Sequence, residues 1–240
     1  MFESNDGRQF LYSDQMVLIG KPDIVGYGSA EFYLREISRS VANKLILENH
    51  YSHKITNHSR IHLGVYMSGV LVGALQFGYA MNPASGANIV PGTANDGYLE
   101  LNRMWLDDVA PRNSESMAIS YAIKYIKKRE PQVKWIQSFA DERCGKNGIV
   151  YQAANFQYYG EHSSIFWTLD GVVYHNIIMT RRAELTPECR HLQSNRDRAT
   201  SENLRQFRYL YFIDKRLQAT CNLSQKPYEK HYDDEVVVDV

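Results

Sequence analysis

The stretch 98–106, YLELNRMWL, followed by the polar turn Pro111-Arg112-Asn113-Ser114-Glu115-Ser116 and later by the apolar run Val133-Lys134-Trp135-Ile136-Gln137-Ser138-Phe139, decides the fold. The first run is rich in β-formers, and the turn carries residues that start helices. The helix predicted from Ser116 runs to Arg129 and stops before Pro131, and the second run reads as a buried strand. A strand, a helix and a second strand in this order make a crossover that lays the two strands parallel.

Working outward, residues 31–37 alternate as a strand. Ser38 then caps a helix whose Val41, Ala42, Leu45 and Ile46 form one apolar stripe running into His50-Tyr51-Ser52-His53. Two β-rich runs, 61–67 and 70–77, are split by Ser68-Gly69 and predict a hairpin. Residues 81–97 read as a long Asn/Gly/Pro loop, functional or mobile. Beyond Ala140-Asp141 come a Gly-containing loop, a helix near 148–155, and a hairpin of 165–169 with 172–179 turning at Asp170-Gly171. A meander feeding βαβ crossovers predicts an α/β (α+β) chain with a mixed sheet flanked by helices. Acyltransferases of the GNAT type share this order, although periodicity does not single them out. The expected division is an arm over 1–30, a GNAT-like catalytic domain over 31–180, and a basic, aromatic extension with an acidic tail over 181–240, packed on that domain.

With 44% hydrophobic and 12% aromatic residues the chain can bury a core. Equal numbers of basic and acidic side chains, 27 each, exclude a uniformly basic nucleic-acid binder but not a local patch. Cys144, Cys189 and Cys221 are far apart and suggest neither a zinc knuckle nor a disulfide framework. The polar start of the chain is unlike a secretory signal, and no apolar run approaches the ~18 residues of a membrane helix. The expectation is a cytoplasmic protein without membrane contact. Nothing in the sequence sets its oligomeric state; a homodimer is compatible with it.

Four places can carry chemistry. The turn from Arg112 to Ser116 opens a helix whose free N–H groups and dipole favour an anion. GNAT-type enzymes seat the pyrophosphate of acyl-CoA here on a Gly-rich turn. This turn has no glycine, so an anion would lean on Arg112, Asn113, Ser114 and Ser116, and an ordinary helix cap is the other reading. His50 and His53, three apart, could share a helical face and bind a metal, or simply end the helix. Asp141, at the end of a predicted buried strand, could orient or deprotonate an amine, or cap the next turn. Tyr151 could act as a general acid or pack in the core; Tyr158 and Tyr159 could stack a base or do the same.

Together these segments resemble the phage Mom proteins. Asn49-His50-Tyr51-Ser52-His53, Glu100-Leu101-Asn102-Arg103-Met104-Trp105, Pro111 to Ser116, Ser138-Phe139-Ala140-Asp141, Gly148-Ile149-Val150-Tyr151-Gln152-Ala153, Phe207-Arg208-Tyr209-Leu210-Tyr211-Phe212 and Lys226-Pro227-Tyr228 occur in the order of that family, covering 31–228. The resemblance implies a transferase that replaces a hydrogen on adenine's exocyclic amine by a carbamoylmethyl group and so shields phage DNA from host restriction. It implies functional roles for His50, Tyr51, Ser116, Asp141 and Tyr151, and a bound iron, for which the histidine pair is the place to look. Joining nitrogen to a methylene carbon is not acyl transfer, so an unusual donor, such as a glycine-derived one, is expected in place of acyl-CoA. The target amine is paired in duplex DNA, so the base is expected to flip out, with Arg182, Arg205, Arg208, Lys215 and Arg216 holding phosphates. A CoA-dependent N-acyltransferase acting on a small molecule or peptide is the rival reading, and a non-enzymatic DNA-binding module is the third.

Overall fold

A computed structural model describes residues 2–3, 9–10, 26–29, 31–144, 147–180 and 186–228. Along the chain come strands β1 (Phe2–Glu3), β2 (Gln9–Phe10), β3 (Gly26–Gly28) and β4 (Phe32–Glu36), then helix α1 (Arg39–Asn49). Strands β5 (Ser59–Met67) and β6 (Val70–Gly78) precede the short helix α2 (Gly86–Ile89), and β7 (Tyr98–Leu106) leads into α3 (Ser114–Arg129). Next are β8 (Trp135–Asp141), α4 (Ile149–Ala153), β9 (Gln157–Leu169), β10 (Val172–His175), α5 (Ile177–Thr180), α6 (Pro187–Ser194) and β11 (Thr200–Phe212).

A 9-stranded sheet in the order β10-β9-β11-β8-β7-β6-β5-β4-β3 carries the fold, and β1 pairs with β2 apart from it. The crossover predicted from 98–139 forms: β7 and β8 are parallel, and the other neighbouring pairs are antiparallel. The Ser68-Gly69 hairpin also forms, with both turn residues at positive φ (48° and 82°), as a two-residue connection between twisted strands requires.

The two faces of the sheet bury different clusters. On one, α3 lays Ala118, Ile119, Ala122, Ile123 and Ile126 over Leu99, Leu101, Ile136 and Ala140. Full burial of one such aliphatic side chain contributes roughly 1.5–3 kcal/mol, so α3 is held by its apolar stripe more than by helix propensity. On the other face, α1 packs Ala42 and Leu45 against Tyr33, Tyr66 and Ala74. Further along that face Tyr98 stacks on Trp135 at 4.3 Å, beside Leu210 and Phe212.

Three expectations are corrected. First, β11 lies between β8 and β9, so a boundary at 181 does not divide the molecule into domain and appendage. The reason is its alternation: Phe207 and Tyr209 enter the α3-side core, while Leu210 and Phe212 serve the opposite one. Second, the 81–97 loop contains a 3-10 turn (Pro83–Ser85) and α2, pinned by Ile89 and Val90 in the core. Third, the last hairpin is β9 with β10, longer on its first arm, and the chain turns helical at α5 where a strand was expected. Cys189 and Cys221 are free thiols. The N-terminal arm lies largely, and the acidic tail wholly, outside the described residues, as does the side chain of Cys144.

Candidate functional site

β7 and β8 pair only at Tyr98↔Trp135, Leu99↔Ile136 and Glu100↔Gln137. Beyond that rung β7 stays with β6 and β8 with β11, so the two parallel strands part and the sheet opens between them. The last rung is polar. Gln137 Nε2 donates to Glu100 Oε2 at 2.9 Å and Asn102 Nδ2 to Oε1 at 3.2 Å. Burial pushes the Glu100 carboxyl above its ordinary range, and these two hydrogen bonds pull it part of the way back.

A register shift sits beside this rung, where Gln76 pairs Arg103 but Phe77 pairs Leu101, leaving Asn102 as the extra residue. By simple alternation Arg103 would share the core face of Leu99 and Leu101. The bulge sends it to the opposite face, where its Nε donates to the Lys54 carbonyl at 2.9 Å.

Asp141 closes β8 on that same face, since Ile136 and Ala140 point to α3 and the odd positions point away. It is 6% exposed. Arg143 grips it from Nε to Oδ1 (2.9 Å), from Nη2 to Oδ2 (2.5 Å) and from its backbone N to Oδ1 (3.0 Å). The Tyr51 hydroxyl lies 3.5 Å from Oδ2. Tyr51 is 52% exposed; its ring is 4.3 Å from that of His50 and 5.6 Å from the Arg143 guanidinium. That guanidinium also stands 4.3 Å from the ring centre of Phe166. The structure therefore brings together His50, Tyr51 and Asp141 of the predicted set, and adds Arg103, Arg143, Phe166 and Glu100.

The helical pairing of His50 and His53 is corrected. α1 ends at Asn49, and His50 caps it in extended backbone. His50 is 7% exposed, and its Nδ1 accepts the Ser52 backbone N–H at 3.1 Å with Ser52 Oγ at 2.8 Å. A nitrogen that accepts an N–H carries no proton, which leaves the proton of the neutral ring on Nε2. Burial, reinforced by Arg103, His53 and Arg143, lowers its pKa to about 4, with Asp141 opposing. His53 is exposed at φ 45°, its Nδ1 turned to the Leu47 carbonyl. Among the described residues there is no group of three or more His, Cys, Asp or Glu that could hold a metal, and the two Nδ1 atoms are turned to Ser52 and to the Leu47 carbonyl.

At the start of α3, Asn113 takes the left-handed conformation (φ 71°) that a glycine would otherwise supply, and its side chain makes no capping bond. Ser116 Oγ donates to the Asn113 carbonyl at 2.9 Å, which ties this hydroxyl to the cap. Ser114 Oγ is buried and finds no hydrogen-bond partner among the described residues, and the same holds for Ser138 Oγ on the α3 side of β8. Arg112 is exposed, and Glu115 sits in the helix's first turn, where its charge would oppose a pyrophosphate.

Tyr151 does not share the Asp141 face, contrary to the expectation of one pocket lined by both. α4 packs on the α3 side, where the Tyr151 ring meets Phe156 (5.8 Å) and Tyr209 (5.4 Å). The phenol beside Asp141 is that of Tyr51. Tyr158 and Tyr159 are buried, one on each face.

Of the cations assigned to phosphates, Arg205 bonds Glu142 at 2.8 Å and approaches Glu161 at 3.6 Å. Arg216 is paired with Asp214 at 2.7 Å. Arg208 lies over the Phe139 ring at 5.1 Å, and burial lowers its pKa. Lys215 stands over Tyr211 at 5.0 Å, and Arg182 is outside the described residues.

The sequence matches the Mom protein family over residues 31–230. It is 49% identical over 210 residues to "Methylcarbamoylase mom" of Escherichia phage Mu, covering 86% of this chain and 87% of that protein. Among solved structures it is similar to a ribosomal L7/L12 alpha-N-protein acetyltransferase in complex with coenzyme A, with TM-score 0.47 and 13% identity over 80% of this chain and 99% of that one. It is likewise similar to the ribosomal-protein-S5-alanine acetyltransferase of Vibrio fischeri, with TM-score 0.47 and 12% identity over 80% of this chain and 98% of that one.

Proposed function

The chain belongs to the Mom protein family, and from that premise we propose how it works as a transferase that attaches a carbamoylmethyl group to the exocyclic amine of adenine in phage DNA. The reading is carried by the buried Asp141 carboxylate, held at the point where β7 and β8 part, with an exposed phenol beside it.

The amine of adenine is a weak nucleophile because its lone pair is delocalised into the ring. Asp141 accepts its hydrogen bond and receives its proton as the nitrogen attacks the donor's methylene carbon. The N–C bond forms as the bond from that carbon to the leaving group breaks. Tyr151 donates a proton to the leaving group from the α3 side, and Tyr209 and Phe156 hold its ring in place. The base enters on the Asp141 face and the donor on the α3 face, and they meet through the opening beyond Glu100 and Gln137. His50, kept neutral, supports the Tyr51 ring. The buried Ser114 and Ser138 hydroxyls are the groups placed to receive a small donor, glycine-derived in this reading. The target base is flipped out of the duplex, at a cost of about a few kcal/mol. Exposed Lys215 and Arg216 lie among the cations that meet phosphates, in the cytoplasm of the infected cell.

Nucleosides digested from DNA of cells expressing the protein test this reading by mass. Wild type yields the carbamoylmethyl adduct of deoxyadenosine, while Asp141→Ala and Tyr151→Phe yield little. Undiminished adduct in both variants removes these residues from the mechanism.

A further inference from the structure

An ionised carboxylate offers about four lone-pair positions. Arg143 takes three of those of Asp141, with N and Nε on Oδ1 and Nη2 on Oδ2, and the Tyr51 hydroxyl stands over the fourth at 3.5 Å. In this state an incoming amine meets a carboxylate already gripped along one edge by Arg143 and covered on the other side by Tyr51.

The group occupying it has a particular shape. A guanidinium is flat, directs N–H donors from one edge and exposes π-faces to aromatic rings. Here the edge meets Asp141, and the Phe166 and Tyr51 rings stand 4.3 Å and 5.6 Å from the guanidinium carbon. A purine presenting an amino edge asks for the same surroundings: a carboxylate to take N–H and aromatic carbon to cover a flat ring. The Arg143 side chain is 27% exposed, whereas that of Asp141 is 6% exposed, so the plug has a way out and the acceptor does not.

We propose that Arg143 occupies the adenine seat in the DNA-free protein, and that the flipped base displaces it, with Phe166 forming one wall of the seat. This rests on the reading of adenine as substrate given above. Exchanging a bidentate ion pair for a bond to a neutral amine is unfavourable unless the guanidinium finds another anion. A phosphate flanking the flipped nucleotide supplies one. Entry of the base and capture of the backbone are then a single exchange, which favours adenine within a strand over adenine alone.

Equilibrium binding of 2′-deoxyadenosine, and of a trinucleotide with dA at its centre, separates the possibilities. Emptying the seat removes a competitor, so Arg143→Ala is expected to bind the free nucleoside about tenfold more tightly than wild type. For the trinucleotide that advantage disappears, because the variant also lacks the phosphate contact. Phe166→Leu weakens both ligands. Arg143→Lys, which keeps the charge but cannot fill a flat slot, falls between wild type and Arg143→Ala for the nucleoside, and far-ultraviolet circular dichroism verifies that each variant is folded. Equal or weaker nucleoside binding by folded Arg143→Ala, or unchanged binding by Phe166→Leu, overturns the proposal. If wild type still produces modified adenine in cells, that result leaves the transferase reading standing; if wild type produces none, both fall.

Discussion

Tyr51 and Asp141, 90 positions apart in the chain, meet at the mouth of the parted strands with the phenol oxygen 3.5 Å from Oδ2. The contact is long for a hydrogen bond, so the hydroxyl contributes less than the carboxylate it faces. Tyr51→Phe keeps the ring against His50 and is expected to lower the yield of modified adenine a few-fold. Asp141→Asn keeps the shape but loses the charge and is expected to lower it by about a hundredfold or more. Nucleoside mass analysis of both variants checks the ranking, and equal losses would contradict it.

His50 sets a pH dependence of stability. Its folded pKa is about 4 against 6.5 unperturbed. Between those values the unfolded chain binds the proton and the folded one does not, so stability falls as pH drops from 6.5 towards 4. The ceiling is about 3 kcal/mol. Urea unfolding from pH 7.5 downward should show a shallower decline for His50→Gln than for wild type.

Gly148 precedes α4 at φ 84°, and a methyl group there would lie 2.3 Å from the Tyr209 ring. Gly148→Ala therefore carries both backbone strain and a clash with the residue that supports Tyr151. Destabilisation of about 1–3 kcal/mol is expected. Activity should fall further than stability does, because the displaced ring is a neighbour of Tyr151. Denaturation midpoints and adduct yield, measured together, test the pairing of effects.

Arg103 ties the segment after α1 to β7 through its Nε bond to the Lys54 carbonyl. A lysine lacks that geometry, so Arg103→Lys should speed amide exchange across 50–54 and lower activity while the rest of the sheet keeps its protection. Unchanged exchange in that segment would show that Lys54, donating to the Val173 carbonyl, suffices to hold it.

Periodicity revealed the hairpin at Ser68-Gly69 and the β7–α3–β8 crossover because both depend on neighbours in the chain. Asp141 could be placed at a strand end for the same reason. Arg103 escaped because a single extra residue at Asn102 reverses which face its successors occupy, and no propensity marks a bulge at an asparagine. Arg143 and Phe166 escaped because their meaning lies in contacts across distant strands. Alternation likewise says that β11 has two buried faces but not which strands lie beside it. The histidine pair misled because spacing is informative only while the helix continues, and α1 ends one residue before His50.

The position of β11 bears on how the molecule comes into being. The strand that joins β8 to β9 is also, among the described residues, the last in chain order, so these two parts of the sheet stay unjoined until residues 200–212 have been made. Its pairing with β8 joins residues separated by all of α4, β9, β10, α5 and α6, and contacts so distant in sequence form slowly. The backbone of Asp141 gains its β11 neighbour, Gln206, only at that moment. A chain that stops before residue 200 therefore lacks the strand that flanks Asp141 in the finished sheet.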